Sequence, residues 1–138
     1  MVQTETQKQN NNNTSLFTIT LIFLLIAGSP AVAQMDPSSV RLPAMTPALN
    51  LGKLSYDAKC ASCHGVNTAG TDKGPTFLHR VYHPGHHGDG AFYMAPKKGT
   101  RAHHWKFGDM PPVDEISDAQ IKNIISYVRA LQNANGVF

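Results

Sequence analysis

Hydrophobic positions fall into blocks of different character along this chain. Leu16 to Gly28 is an apolar run broken only by Thr18 and Thr20. It is short of the roughly 20 residues that a helix needs to span hydrocarbon. Gly28-Ser29-Pro30 then breaks it, and Ala31-Val32-Ala33 supplies the small-x-small pattern that signal peptidase cuts. Residues 1–33 are therefore expected to be an export signal cleaved after Ala33, with an uncleaved membrane anchor as the alternative. Residues 34–49 contain Pro37, Pro43 and Pro47, show no sustained period, and predict a linker or a strap on the surface.

Beyond residue 49 the period becomes helical. Leu51, Leu54 and Ala58 recur at helical spacing, with Gly52 and Tyr56 on a neighbouring stripe. Near the end, Ile121, Ile124, Ile125, Val128 and Leu131 make the apolar stripe of a second helix. Its start is marked by Ser117 with Gln120 three residues later, a capping box, and by Ile116 and Ile121 as the matching hydrophobic staple. Asp118 lies in the first turn, where it complements the helix dipole. Pro84, Gly85, Gly88 and Gly90 predict a loop between the two helices.

Composition narrows the class. At 138 residues the chain holds one domain at most, and 41% hydrophobic content suits a globular chain. Two cysteines exclude a disulfide-dense scaffold and a four-cysteine zinc or iron–sulfur site. A net charge of +3, unchanged by loss of Lys8 and Glu5 with the signal, gives no reason to expect nucleic acid as a partner.

The two cysteines stand in Cys60-Ala61-Ser62-Cys63-His64, the C-x-x-C-H pattern of covalent c-type haem attachment. Two thiols three positions apart on a helical turn can reach the two vinyl groups on one porphyrin edge. The adjacent imidazole then lies under the ring. A thioredoxin-like motif would need a βαβ surrounding, which is absent, and a structural disulfide would not need the histidine.

With these residues in place, the chain resembles the class I, single-haem cytochrome c family over about residues 49–135. The resemblance implies an all-α domain at residues 50–138, with three to five helices around one covalent haem. Gly52 and Tyr56 match the family's seam between first and last helices, and Tyr127 the aromatic facing it. In Gly74-Pro75-Thr76-Phe77-Leu78, Pro75 matches the residue whose carbonyl accepts a hydrogen bond from the proximal histidine, here His64. In Phe107-Gly108-Asp109-Met110-Pro111-Pro112, Met110 matches the distal ligand, with Pro111 biasing it away from helical angles. Met94 is expected to pack against the haem or core.

The function this implies is one-electron carriage outside the cytoplasm, in the periplasm or an equivalent compartment. The chain is expected to be a monomer serving redox partner proteins, a copper enzyme among the candidates, touching membrane only transiently or through an uncleaved N-terminal segment. Two alternatives carry different chemistry. One is a haem enzyme or sensor whose sixth site is open or labile, peroxidase-like or gas-binding. The other is a cytochrome subunit of a larger, copper-containing or copper-free oxidoreductase. His79, His83, His86, His87, His103 and His104 have no counterpart in the family's general needs. They are candidates for a second metal, most plausibly copper, set against the plainer reading that they cover the haem, bond its propionates or face solvent. Arg80, Tyr82 and Trp105 are further propionate candidates. Lys59, Lys73, Lys97, Lys98 and Arg101 could form a local basic face.

Overall fold

A computed structural model describes residues 34–138. Helix α1 is Pro47–Lys59, α2 Ala61–His64, α3 Asp89–Lys98 and α4 Asp118–Ala134, with short 3-10 turns at Pro37–Ser39, Val66–Thr68 and Arg80–Tyr82. The architecture is all-α: among the described residues the only β pairing is an isolated antiparallel bridge between Thr100 and Met110. No described helix is long and apolar enough to cross a membrane. The expected signal or anchor, residues 1–33, lies outside the described residues.

Local chemistry sets the helix starts. At α1 the Thr46 hydroxyl accepts from the Leu49 N–H at 3.2 Å, and Pro47 occupies the first turn, where its missing N–H costs nothing. This start lies inside the stretch expected to be linker. At α4 the capping box forms as the sequence predicts, Ser117 and Gln120 each bonding the other's backbone N–H at 3.0–3.2 Å.

The two long helices cross at Gly52. A Cβ there would lie 2.8 Å from Tyr127 Cβ and 3.1 Å from the Asn123 carbonyl carbon, so only glycine admits the approach. Tyr56 and Tyr127, both fully buried, pack beside the crossing with ring centroids 5.6 Å apart. Ile124, Val128 and Leu131 continue the core along α4. Burial contributes about 1.5–3 kcal/mol for each large aliphatic side chain.

The apolar stripe of α1 does not face this core. Leu51 and Leu54 are 57% and 66% exposed, while the neighbouring Gly52–Tyr56 stripe is buried. Close backbone approach at the glycine turned that face inward, against the simple hydrophobic pattern.

Residues 34–46 form a strap rather than a free linker. Val40 enters the core. The Arg41 N–H donates to Asn135 Oδ1 at 2.9 Å, and Asn135 Nδ2 returns a bond to the Arg41 carbonyl at 2.8 Å.

Candidate haem site

The C-x-x-C-H motif sits at the junction of α1 and α2. Cys60 ends one helix and opens the next, and the short helix α2 brings His64 one turn beyond it. The His64 Nδ1 lies 3.0 Å from the Pro75 carbonyl oxygen. A carbonyl can only accept, so Nδ1 carries the proton and Nε2 keeps its lone pair. His64 is buried, and that burial lowers its pKa, with the Pro75 bond opposing. The ring is therefore a neutral imidazole with one nitrogen fixed and the other ready for a metal. Phe77 stacks on it with centroids 4.2 Å apart.

His64 opens onto a cavity of about 580 Å³, which Cys60, Pro75, Phe77, Phe92 and Met110 also line. Ile121, Ile124 and Ile125 contribute α4's share of the wall. Burial, with the neighbouring Cys63, pushes the Cys60 thiol up to about 11. Cys63 is exposed and is not part of the lining.

Met110 comes from a different segment and is held from both sides. Its N–H and carbonyl pair with Thr100 at 2.8 and 2.9 Å. The Asp109 carboxylate accepts from the Ala102 N–H at 2.8 Å, and the Val113 N–H donates to the Pro96 carbonyl at 2.8 Å. Gly99 has φ +76°, and a Cβ there would meet the Met110 carbonyl oxygen at 2.6 Å. The methionine backbone is thus fixed by hydrogen bonds and by the absence of a side chain at Gly99. Met94, expected to pack against the haem or core, lines the same cavity and is 39% exposed.

These residues fit a haem. The cavity is apolar, and it joins a neutral imidazole, a thioether and a cysteine thiol, the donor set that haem iron and the porphyrin edge require.

The histidines divide. His79 and His83 use Nδ1 to accept from the Val81 and Gly85 N–H groups, at 3.2 and 3.1 Å, and so cap local turns. They stand apart from His86, His87 and His104, whose ring nitrogens lie within 4.8 Å of one another. A six-histidine copper site is therefore not what the fold assembles. His87, His103 and His104 border the same cavity as His64. Burial, ahead of neighbouring imidazoles and Arg129, holds the His87 pKa below the usual histidine range. The Trp105 N–H donates to the Tyr82 hydroxyl at 3.0 Å, so it is not free for a propionate, and Arg80 is exposed. Of the basic residues, Lys97 pairs with Asp118 at 2.7 Å and Lys59 donates to the Asp114 carbonyl at 3.1 Å, while Lys98 and Arg101 lie at the cavity.

Two organising residues carry no motif and escape sequence reasoning. Arg129 donates to the Tyr82 carbonyl at 2.9 Å, the His87 carbonyl at 2.6 Å and Asp89 Oδ1 at 2.7 Å. Gln132, fully buried, donates to the Phe77 and Tyr82 carbonyls at 2.8 and 3.2 Å and accepts from Arg129 at 2.6 Å. Together they tie the loop after Pro75 to α4. Their one sequence signal is weak: polar residues one turn apart, Gln132 directly beside Leu131 on the apolar stripe.

The cytochrome c family model matches residues 49–132. Cytochrome bc1 complex cytochrome c subunits of Mycobacterium bovis and of Mycobacterium tuberculosis are 35% identical to it over 120 residues. Those alignments cover 80% of this chain but 38% of the relatives, so the chain spans well under half their length. No solved structure matches it significantly.

Proposed function

The chain belongs to the cytochrome c family, and we propose that it carries single electrons outside the cytoplasm through one covalent haem. The observation that carries this reading is the shared cavity of His64, with Nε2 unengaged, and Met110, pinned to Thr100. Cys60 and Cys63 would hold the haem covalently, and His64 and Met110 would bind its iron. Bound there, the haem supplies one-electron redox chemistry.

The chain's own residues do the rest. The Pro75 carbonyl holds the His64 tautomer and strengthens the imidazole as a ligand. The Met110 thioether favours ferrous over ferric iron and raises the reduction potential. The isoleucine wall of α4 acts in the same direction, because it solvates the extra ferric charge poorly. With both His64 and Met110 bound to it, the iron would have no position left for a substrate and would need little rearrangement between oxidation states. The relatives' name, a cytochrome c subunit of a cytochrome bc1 complex, supports electron exchange with the redox proteins of such a complex.

The test is an optical spectrum of the purified holoprotein, ferric and ferrous, with carbon monoxide added afterwards. A ferric Fe–S(Met) absorption that vanishes in Met110→Ala, and a wild-type ferrous spectrum indifferent to carbon monoxide, are expected. A wild-type ferrous form that binds carbon monoxide would replace the carrier with an open-site enzyme or sensor.

A further inference from the structure

Four imidazoles on two loops meet beside the cavity; His87, His103 and His104 line it, and His86, His103 and His104 are exposed. The His87 Nδ1 lies 2.8 Å from the Val81 carbonyl oxygen, and the His103 Nδ1 lies 2.7 Å from the Arg101 carbonyl oxygen. Both Nδ1 atoms must donate, so in each neutral ring Nε2 is a bare lone pair. Those two Nε2 atoms face each other at 3.3 Å. Two bare acceptors at that distance repel, so the contact calls for a proton or a metal ion between them. His86 Nε2 and His104 Nε2 stand 3.1 Å apart beside them.

These separations have a natural cause. Zinc binds imidazole nitrogen at about 2.0–2.1 Å, which puts tetrahedral ligand atoms about 3.3–3.4 Å apart. Nδ1–H donation to a backbone carbonyl, seen twice here, is also how metal-binding histidines are commonly oriented. The scaffold is fixed in advance, because Arg129 on α4 holds the His87 carbonyl at 2.6 Å. The geometry points to a binding site for one divalent first-row transition-metal ion, with His86, His87 and His104, whose ring nitrogens lie within 4.8 Å of one another, as ligands and His103 beside His87. Imidazole nitrogen suits zinc(II), and the 3.1 and 3.3 Å separations of the two pairs are close to those of zinc ligands. The site lies outside the proposed axial set, so it stands or falls independently of the carrier function. A dication on this rim also favours the reduced form of a redox centre in the adjoining cavity, by simple charge attraction.

The holoprotein, stripped with a chelator, is titrated with zinc chloride by calorimetry and, separately, with copper(II) under electron paramagnetic resonance. One zinc per chain is expected. The His86→Ala/His104→Ala double variant should bind about 100-fold more weakly or worse, beyond the 10–100-fold typical of outer-shell changes. The His79→Ala/His83→Ala variant should bind as wild type. Zinc should raise the reduction potential of the wild type and leave that of the His86/His104 variant unmoved, with far-ultraviolet circular dichroism showing both variants folded. Copper binding with nitrogen hyperfine structure and no zinc binding would keep the site and change its metal. Absence of stoichiometric binding by either metal, or equal losses in both double variants, would overturn the proposal.

Discussion

Gly52→Ala tests the packing argument at its tightest point. The new methyl carbon would start 2.8 Å from Tyr127 Cβ and closer still to the Asn123 carbonyl oxygen. Carbon atoms in good contact lie about 3.5–4.0 Å apart, so α1 and α4 must separate by roughly 1 Å. Neither contact can rotate away, because one is a backbone carbonyl and the other a Cβ fixed to the backbone of α4. Overpacking costs typically about 1–3 kcal/mol, and this rigid case belongs at the upper end. Alanine recovers about 1 kcal/mol of helix propensity over glycine. The net expectation is a loss of about 2 kcal/mol, or a melting temperature lower by about 8–16 °C in a domain of this size. Thermal and guanidinium unfolding followed by circular dichroism would measure it. Asn50→Ala, exposed on the same helix, is the control and should be neutral or slightly stabilising. A Gly52→Ala protein as stable as wild type, or more so, would refute the claim that the helices meet backbone to backbone at this residue.

Further predictions concern the site and its supports. Gly99→Val should displace the Met110 carbonyl, weaken the ferric Fe–S(Met) absorption and leave helix content unchanged; an unaltered spectrum would count against Gly99 as the determinant of that loop. Gln132→Leu takes the buried side-chain donor from the Phe77 carbonyl, while Arg129 still serves the Tyr82 carbonyl, and should cost about 1–3 kcal/mol in denaturant unfolding. Burial, with the charge of Asp57, pushes the Tyr127 phenol up to about 12 from its ordinary 10.0, and its hydroxyl donates to Asn67 Oδ1. Because the folded value lies above the unfolded one, its contribution is fully present below pH 10, declines as pH rises, and is lost near pH 12. Tyr127→Phe should therefore show a shallower alkaline decline in stability and lack the late phenolate absorbance step.

Much of the site was legible because its determinants are local. Cys60, Cys63 and His64 declare themselves by spacing along one helical turn, the α4 start by its capping box, and Met110 by the prolines after it. Each depends on neighbours within a few residues, so the chain order carries the information. The sequence by itself also marked Gly52 as anomalous, a glycine in an otherwise good helix. The resemblance set the Gly52–Tyr56 stripe against the last helix, and the structure buries it there; the hydrophobic pattern alone did not choose between that stripe and Leu51 and Leu54, which are left to solvent. The strap shows the same limit, since Val40 and Arg41 acquire their roles only when α4 presents Leu131 and Asn135 to them. Arg129 and Gln132 look like ordinary polar residues of an amphipathic helix until folding sets three loop carbonyls against them. The six histidines, alike in sequence, separate into two turn caps and a four-ring cluster only because residues 86–87 and 103–104 are brought together across sixteen or more positions of chain. Periodicity and capping act through neighbours along the chain; helix approach and loop meeting are set by contacts distant in it, and those the tertiary structure alone decided.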